Sequence, residues 1–229
     1  MMEEELINRK LMNLEIDDNE RKKVLIIDIG VKHLGLCLAL INQDYTFSEI
    51  VDINLIDITN YTHNNNCIIN CELYHTKTFY DWLTHVFVEH TCFDESDIIL
   101  IERQPPLGFC VVEQIIFGKY RYKSHLINPR NVHKFLGITN LDYENRKIFS
   151  EKKGSQYLST ELLCQLKTYN RQHDITDAIC MLLYWLNKHN YEYKKKEQRK
   201  KMENFRINGY NNCFEYLETF RYLNRFPDI

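Results

Sequence analysis

Hydrophobic and polar positions alternate between two periods along this chain. Residues 24–29 (VLIIDI) form a nearly unbroken apolar run closed by Gly30, the pattern of a strand buried on both faces. Residues 34–41 (LGLCLALI) predict a second strand, and the link Val31-Lys32-His33 predicts a hairpin turn between the two. Residues 47–58 alternate apolar with polar side chains, a third strand with one solvated face. An Asn-rich loop over 60–70 follows. Leu73, Phe79, Trp82, Leu83, Val86 and Phe87 then keep helical spacing, which predicts a helix of about 18 residues. Residues 97–102 read as another buried strand closed by Pro105-Pro106, residues 109–120 as a helix, and residues 125–127 as a short strand stopped by Pro129. Residues 131–169 suit short helices and loops rich in Lys and Arg. Residues 174–187 make the most apolar helix, followed by the run KKKEQRKK at 194–201 and a small aromatic helix over 214–226.

Three strands, helix, strand, helix, strand and then helices predict an α/β fold: a mixed sheet with helices on both faces. The chain has 229 residues, a length that suits one large core, with no internal repeat or low-complexity linker. It divides into an N-terminal arm (1–22), a main domain (23–190) and a basic and aromatic C-terminal extension (191–229). The longest uncharged apolar runs, 34–41 and 178–186, fall well short of the roughly 20 residues that cross a bilayer, so no membrane partner is expected. The acidic start Met1-Met2-Glu3-Glu4-Glu5 does not suit a secretory or transit peptide. Cysteines at 37, 67, 71, 92, 110, 164, 180 and 213 contain no CxxC pair. They are expected to be thiols of an intracellular, reducing compartment. His63, Cys67, Cys71 and His75, spaced by four, are a possible zinc ligand set or an Asn-rich loop leading into a helix.

A net charge of −3 hides a strong asymmetry. Residues 1–118 carry 8 basic and 20 acidic side chains, residues 119–209 carry 19 and 9, and the last twenty carry 2 and 3. An acidic half joined to a basic half suits either a dipolar soluble protein or a polyanion-binding enzyme with carboxylate chemistry. The basic candidates are Lys32, Lys119, Arg121, Lys123, Arg130, Lys134, Arg146, Lys147, Lys152 and Lys153. Each alone suits a solvated face, and only the collective excess is informative. The run at 194–201 suits a solvated helix, a DNA-gripping extension or a nuclear-import tract.

Two acids sit where apolar strands should bury them. Asp28 stands within VLIIDIG, and Glu102 ends IILIE. A buried carboxylate costs several kcal/mol unless it is paired or binds a metal. The ordinary alternative is a strand end reaching solvent, with Arg103 and Asp97 at hand for Glu102. Asp174 and Asp177 start the apolar helix at i and i+3, on one face, where the helix dipole favours negative charge. N-capping explains one of them but not both. Four converging carboxylates hold two Mg²⁺ or Mn²⁺ ions, which prefer oxygen ligands and act on phosphate esters.

Ile27-Asp28-Ile29-Gly30 with Lys32 and Gly35, Ile101-Glu102-Arg103-Gln104-Pro105-Pro106, and Asp174-Ile175-Thr176-Asp177-Ala178 together resemble the RuvC-like Holliday junction resolvases. The likeness is to the poxvirus and related large DNA virus branch. It extends to Asn128-Pro129-Arg130, His133-Lys134 and Tyr143-Glu144-Asn145-Arg146-Lys147, and is collinear over about residues 23–190. It implies a ribonuclease H-like five-stranded sheet, a homodimer, and Mg²⁺-dependent cleavage of branched, four-way DNA by paired nicks. Asp28, Glu102, Asp174 and Asp177 would be the metal ligands, with Asp28 bridging both ions. A viral source would put the protein in the host cytoplasm or nucleus.

Three other readings stand beside this one. A ribonuclease H-like nuclease acting on flaps or RNA–DNA hybrids shares the chemistry. An inert nucleic-acid-binding scaffold would share only the fold, but it has no use for carboxylates in apolar strands. An ATP-binding domain of the sugar-kinase and actin type also begins with strand–Asp–Ile–Gly. That fold needs a second phosphate loop and a longer chain.

Overall fold

The computed structural model describes residues 21–62, 78–105 and 110–208. Five strands form one sheet: β1 (Lys22–Ile29), β2 (His33–Ile41), β3 (Phe47–Asp57), β4 (Ile98–Glu102) and β5 (Ser124–Ile127). Their order is β3-β2-β1-β4-β5. The first three pair antiparallel, while β4 pairs parallel with both β1 and β5. The helices are α1 (Phe79–Glu89), the single turn α2 (Cys92–Glu95), α3 (Cys110–Lys119), α4 (Pro129–Leu136), α5 (Tyr143–Ser155), α6 (Thr160–Leu166) and α7 (Gln172–Asn208). This is the expected α/β architecture, a mixed five-stranded sheet with helices on both faces.

Alternation along β1 sorts the two cores. Val24 and Ile26 point to one face, where they pack with Leu100 of β4 and with Ile175, Ile179, Leu182 and Trp185 of α7. Leu25 and Ile27 point to the other, against Leu83, Val86 and Phe87 of α1, Phe93 of α2 and Ile116 of α3. Each fully buried aliphatic side chain contributes about 1.5–3 kcal/mol, so both faces are firmly covered. Two glycines set how closely the α7 layer approaches. A Cβ on Gly35 of β2 would collide with the Asp174 carbonyl oxygen. One on Gly154 of α5 would lie 2.7 Å from the Thr176 side chain.

Some elements differ from the sequence pattern. Helix α1 starts at Phe79, capped by the Thr78 hydroxyl accepting from the Asp81 N–H. Leu73, the 60–70 loop beyond residue 62 and the His63–Cys67–Cys71–His75 set lie outside the described residues, as do the arm up to residue 20 and the 214–226 segment. The turn α2 has no counterpart in the pattern, because four residues are too few to show a period. Helix α7 runs 37 residues, unbroken across residue 190 into the basic run. Of the cysteines, Cys37 and Cys180 are buried thiols, and Cys92, Cys110 and Cys164 are also free. No described helix is long and apolar enough to cross a membrane.

Candidate active site

The strand register brings the first two acids together. Ile26 pairs with Leu100 and Ile27 with Ile101 in the parallel β1–β4 ladder. Carried one residue further, the same register sets Asp28 opposite Glu102. Both follow side chains of the α7 face, Ile26 and Leu100, by two residues, so both carboxyls point toward α7. There α7 presents Asp174 and Asp177 from its first two turns, with Ile175, Ala178 and Ile179 buried beneath. All four acids line one cleft of about 260 Å³ at the carboxyl ends of β1 and β4. Gly35 lies opposite Asp28 on β2, and the missing side chain is what lets the Asp174 backbone sit so near.

This crowding of acids shows in their protonation. Burial, and then the Glu102, Asp177 and Asp174 carboxylates, hold the Asp28 carboxyl well above its usual range. Burial also raises Glu102, partly offset by hydrogen bonds from Asp28 and Gln104. Burial and the neighbouring carboxylates thus favour the neutral form of Asp28. Burial pushes Asp177 up to about 6, with a Ser150 hydrogen bond acting against it and Glu102 adding to it. Asp174 is only 3% exposed, and alone of the four it has an ion pair among the described residues. The Arg171 guanidinium grips it through Nε at 2.6 Å and Nη2 at 3.0 Å, and His173 Nε2 lies 3.0 Å away.

Supporting side chains fix the geometry. Gln104 Nε2 donates to Glu102 Oε2 at 2.6 Å and to the Ile29 carbonyl at 3.2 Å, tying the ends of β4 and β1 together. The Gln104 N–H in turn donates to the largely buried Glu113 carboxylate of α3. Tyr143, Arg146 and Lys147 of α5 and His133 of α4 line the same cleft with Arg171 and His173. Burial lowers both histidines, which keeps them neutral near pH 7.

Of the basic positions expected from sequence, Arg146 and Lys147 reach the cleft. Arg130 and Lys134 sit exposed on α4, whose Pro129, Val132, His133 and Leu136 form one cleft wall, and Lys32 is exposed in the turn after Gly30. Lys152 is exposed on α5, and Lys153 lies over the Tyr157 ring. Lys119, Arg121 and Lys123 are elsewhere, at the start of β5, the opposite end of the sheet. Lys123 Nζ donates to the Asp94 and Ser96 carbonyls at 2.8 and 2.7 Å, and Lys119 lies over the Phe87 ring. Sequence reasoning does not single out Arg171, Gln104, Tyr143 or His173 for a role. Arg171, three residues before Asp174, is the one with a readable signal, as an i,i+3 ion pair.

The donor set is chemically right for a hard divalent cation, with four carboxylates around one polar cleft and three of them raised by burial and like charge. Among the described residues no three acid, His or Cys side chains stand ready around one point. Asp28 and Glu102 crowd each other at the ends of β1 and β4, and Asp174 is turned to Arg171.

No protein-family model matches the chain, and no curated protein does. Solved structures do. The fowlpox virus resolvase in complex with substrate Holliday junction DNA matches with a TM-score of 0.52 at 17% identity, over 72% of this chain and 97% of that one. A second crystal structure, of the fowlpox virus Holliday junction resolvase, gives 0.50 at 16% identity, over 72% and 99%. The fold is therefore the ribonuclease H-like fold of those proteins.

Proposed function

We propose that this chain is a metal-dependent, structure-selective DNA endonuclease that resolves four-way junctions by paired hydrolysis of phosphodiesters. The observation that carries it is the convergence of Asp28, Glu102, Asp174 and Asp177 on one cleft that Arg146, Lys147 and Arg171 also line. Those four carboxylates would hold Mg²⁺ or Mn²⁺, two ions per site. Bound metal would supply Lewis-acid stabilisation of the phosphoryl oxygens and a water acidic enough to attack at neutral pH.

The chain's own residues do the rest. Gln104 orients Glu102, and the Glu113 carboxylate fixes Gln104. Arg146 and Lys147 hold the phosphate, and the Lys147 ammonium is steadied over the Tyr143 ring, 4.1 Å from its centroid. Arg171 holds Asp174 in place. An inert scaffold would gain stability by replacing a buried carboxyl pair with apolar side chains, so the presence of the pair favours chemistry. Branched DNA is the partner, and a homodimer would supply the two cleft sites that paired nicks need.

The decisive experiment incubates purified protein with a synthetic four-way junction and Mg²⁺ or Mn²⁺. Symmetric paired nicks are expected, and Asp28→Asn should abolish cutting while leaving junction binding. A folded protein that leaves the junction intact, or that prefers flaps or RNA–DNA hybrids, would overturn the proposal.

A further inference from the structure

The basic run beyond the catalytic domain is not a loose tail. It is the continuation of α7, the same helix that presents Asp174 and Asp177. The last hydrogen bond from α7 to the sheet region among the described residues is Asn190 Nδ2 to the Asp44 carbonyl, at 2.7 Å. Past it come Lys194, Lys195, Lys196, Arg199, Lys200 and Lys201, all exposed except the half-buried Lys195. No Gly or Pro interrupts the helix between its first residue and Asn208.

An ordinary solvated helix face interleaves charges so that opposite signs meet at i+3 and i+4. Here six cations stand against the three glutamates Glu192, Glu197 and Glu203, so positive charge is in excess. Lys195 faces Arg199, Lys196 faces Lys200, and Lys196 also faces Arg199, each a like-charge neighbour on the helix surface. The glutamates also lie three or four residues from these cations and offset part of the charge, as in the ion pair of Lys200 Nζ with Glu197 Oε1 at 2.9 Å. A continuous helix with this positive excess attracts a polyanion along its length.

The helix also fixes how far this charge lies from the cleft. Twenty residues separate Asp174 from Lys194 and twenty-seven separate it from Lys201. At 1.5 Å per residue that is about 30 to 40 Å, or roughly 9 to 12 base pairs of B-form DNA at 3.4 Å each. The helix runs antiparallel to β1, from the Asp28 end of the sheet toward Lys22 and Tyr45. With branched DNA in the cleft as premise, we propose that the C-terminal half of α7 grips the backbone of one duplex arm about 9 to 12 base pairs from the cut site. It acts without reading base sequence.

Arm length tests this directly. A full-length variant with all six cations changed to Gln is compared with the parent by fluorescence anisotropy, in EDTA. Hairpin-capped junctions with arms of about 6 or about 25 base pairs are the probes, the shorter arm ending before the basic run. On long arms the variant should bind about tenfold or more weakly at 0.15 M salt, and its log K against log salt slope should be shallower by about 3. On short arms the two proteins should bind alike. Equal loss on both junctions, no loss on either, or failure of the parent to bind the long-armed junction would each overturn the proposal. So would a larger loss on RNA duplex than on DNA, which would make RNA the partner. Cutting is not read in this assay, so a bound but uncut junction would sink the endonuclease assignment alone.

Discussion

Burial and charge oppose each other at Asp177, whose carboxyl is pushed from 3.8 to about 6. A raised carboxyl favours folding while protonated. Its contribution is intact below pH 3.8, the unfolded value, and is lost as pH rises through about 6. The loss is on the order of 2–3 kcal/mol once ionisation is complete. Asp177→Asn keeps the acceptor that faces Ser150 and removes the penalty. The metal-free variant should therefore melt about 5 °C or more above the parent at neutral pH and close to it near pH 4, by scanning calorimetry. Millimolar Mg²⁺ should raise the parent's melting point and leave the variant's in place. Gln104 invites a second substitution. Gln104→Ala frees the Glu102 carboxyl from its 2.6 Å donor, and turnover should fall about 10- to 100-fold with junction affinity unchanged. Single-turnover cutting beside anisotropy separates the two effects. These two residues also mark what the sequence can tell. Asp28 and Glu102 stand out because acids are anomalous in apolar strands, and Asp174 and Asp177 because of their spacing. Gln104 and Arg171 lie in polar stretches, where a functional side chain looks like any solvated one.

Close approach of elements is what turns four separate acids into one site. Helix α7 reaches the sheet over Gly35, and α5 reaches α7 over Gly154. Gly35→Ala would drive a methyl into the Asp174 carbonyl, so α7 must shift at its first turn. A cost of about 3 kcal/mol is expected, along with loss of cutting. Gly118, inside α3 with nothing within 4 Å of where a methyl would stand, is the control. Gly118→Ala should stabilise by about 0.5–1 kcal/mol and leave cutting alone. Urea titration of both variants checks the pair, and a silent Gly35→Ala would mean that α7 does not depend on this approach. Gly35 stands out in sequence only through the resemblance, and the close approach itself is not legible for any of the three, because the contact each makes is with a residue at least 20 positions away or with none. The strands are plain from their apolar runs, and β1 and β4 carry their acids visibly. Helix α7 is legible only to residue 187, since its apolar period stops near Leu186. What continues it is the propensity of Lys, Glu, Gln and Arg for helix, a weaker signal than burial.

Across the whole molecule, the charge asymmetry resolves into two poles of one fold. The acids of β1, β4 and α7 meet in the cleft, which Arg146, Lys147 and Arg171 also line. Lys119 and Lys123, counted alike in any charge tally, serve the far end of the sheet, where Lys123 ties α2 and its following turn through two carbonyls. Neutralising one group should therefore affect binding and neutralising the other should affect stability. Arg146→Gln or Lys147→Gln should each make the salt slope of junction binding shallower by about 0.9, and each should weaken binding several-fold at moderate salt. Lys123→Gln should leave that slope unchanged and cost about 1 kcal/mol of stability, the worth of hydrogen bonds from a charged donor at a partly exposed site. The acids push the other way. In EDTA, Asp28→Asn and Glu102→Gln should bind the junction at least as tightly as the parent, because neither adds negative charge facing a phosphate. Weaker binding by the acid variants, or a shallower slope for Lys123→Gln, would mean that the backbone of the DNA does not cross this cleft.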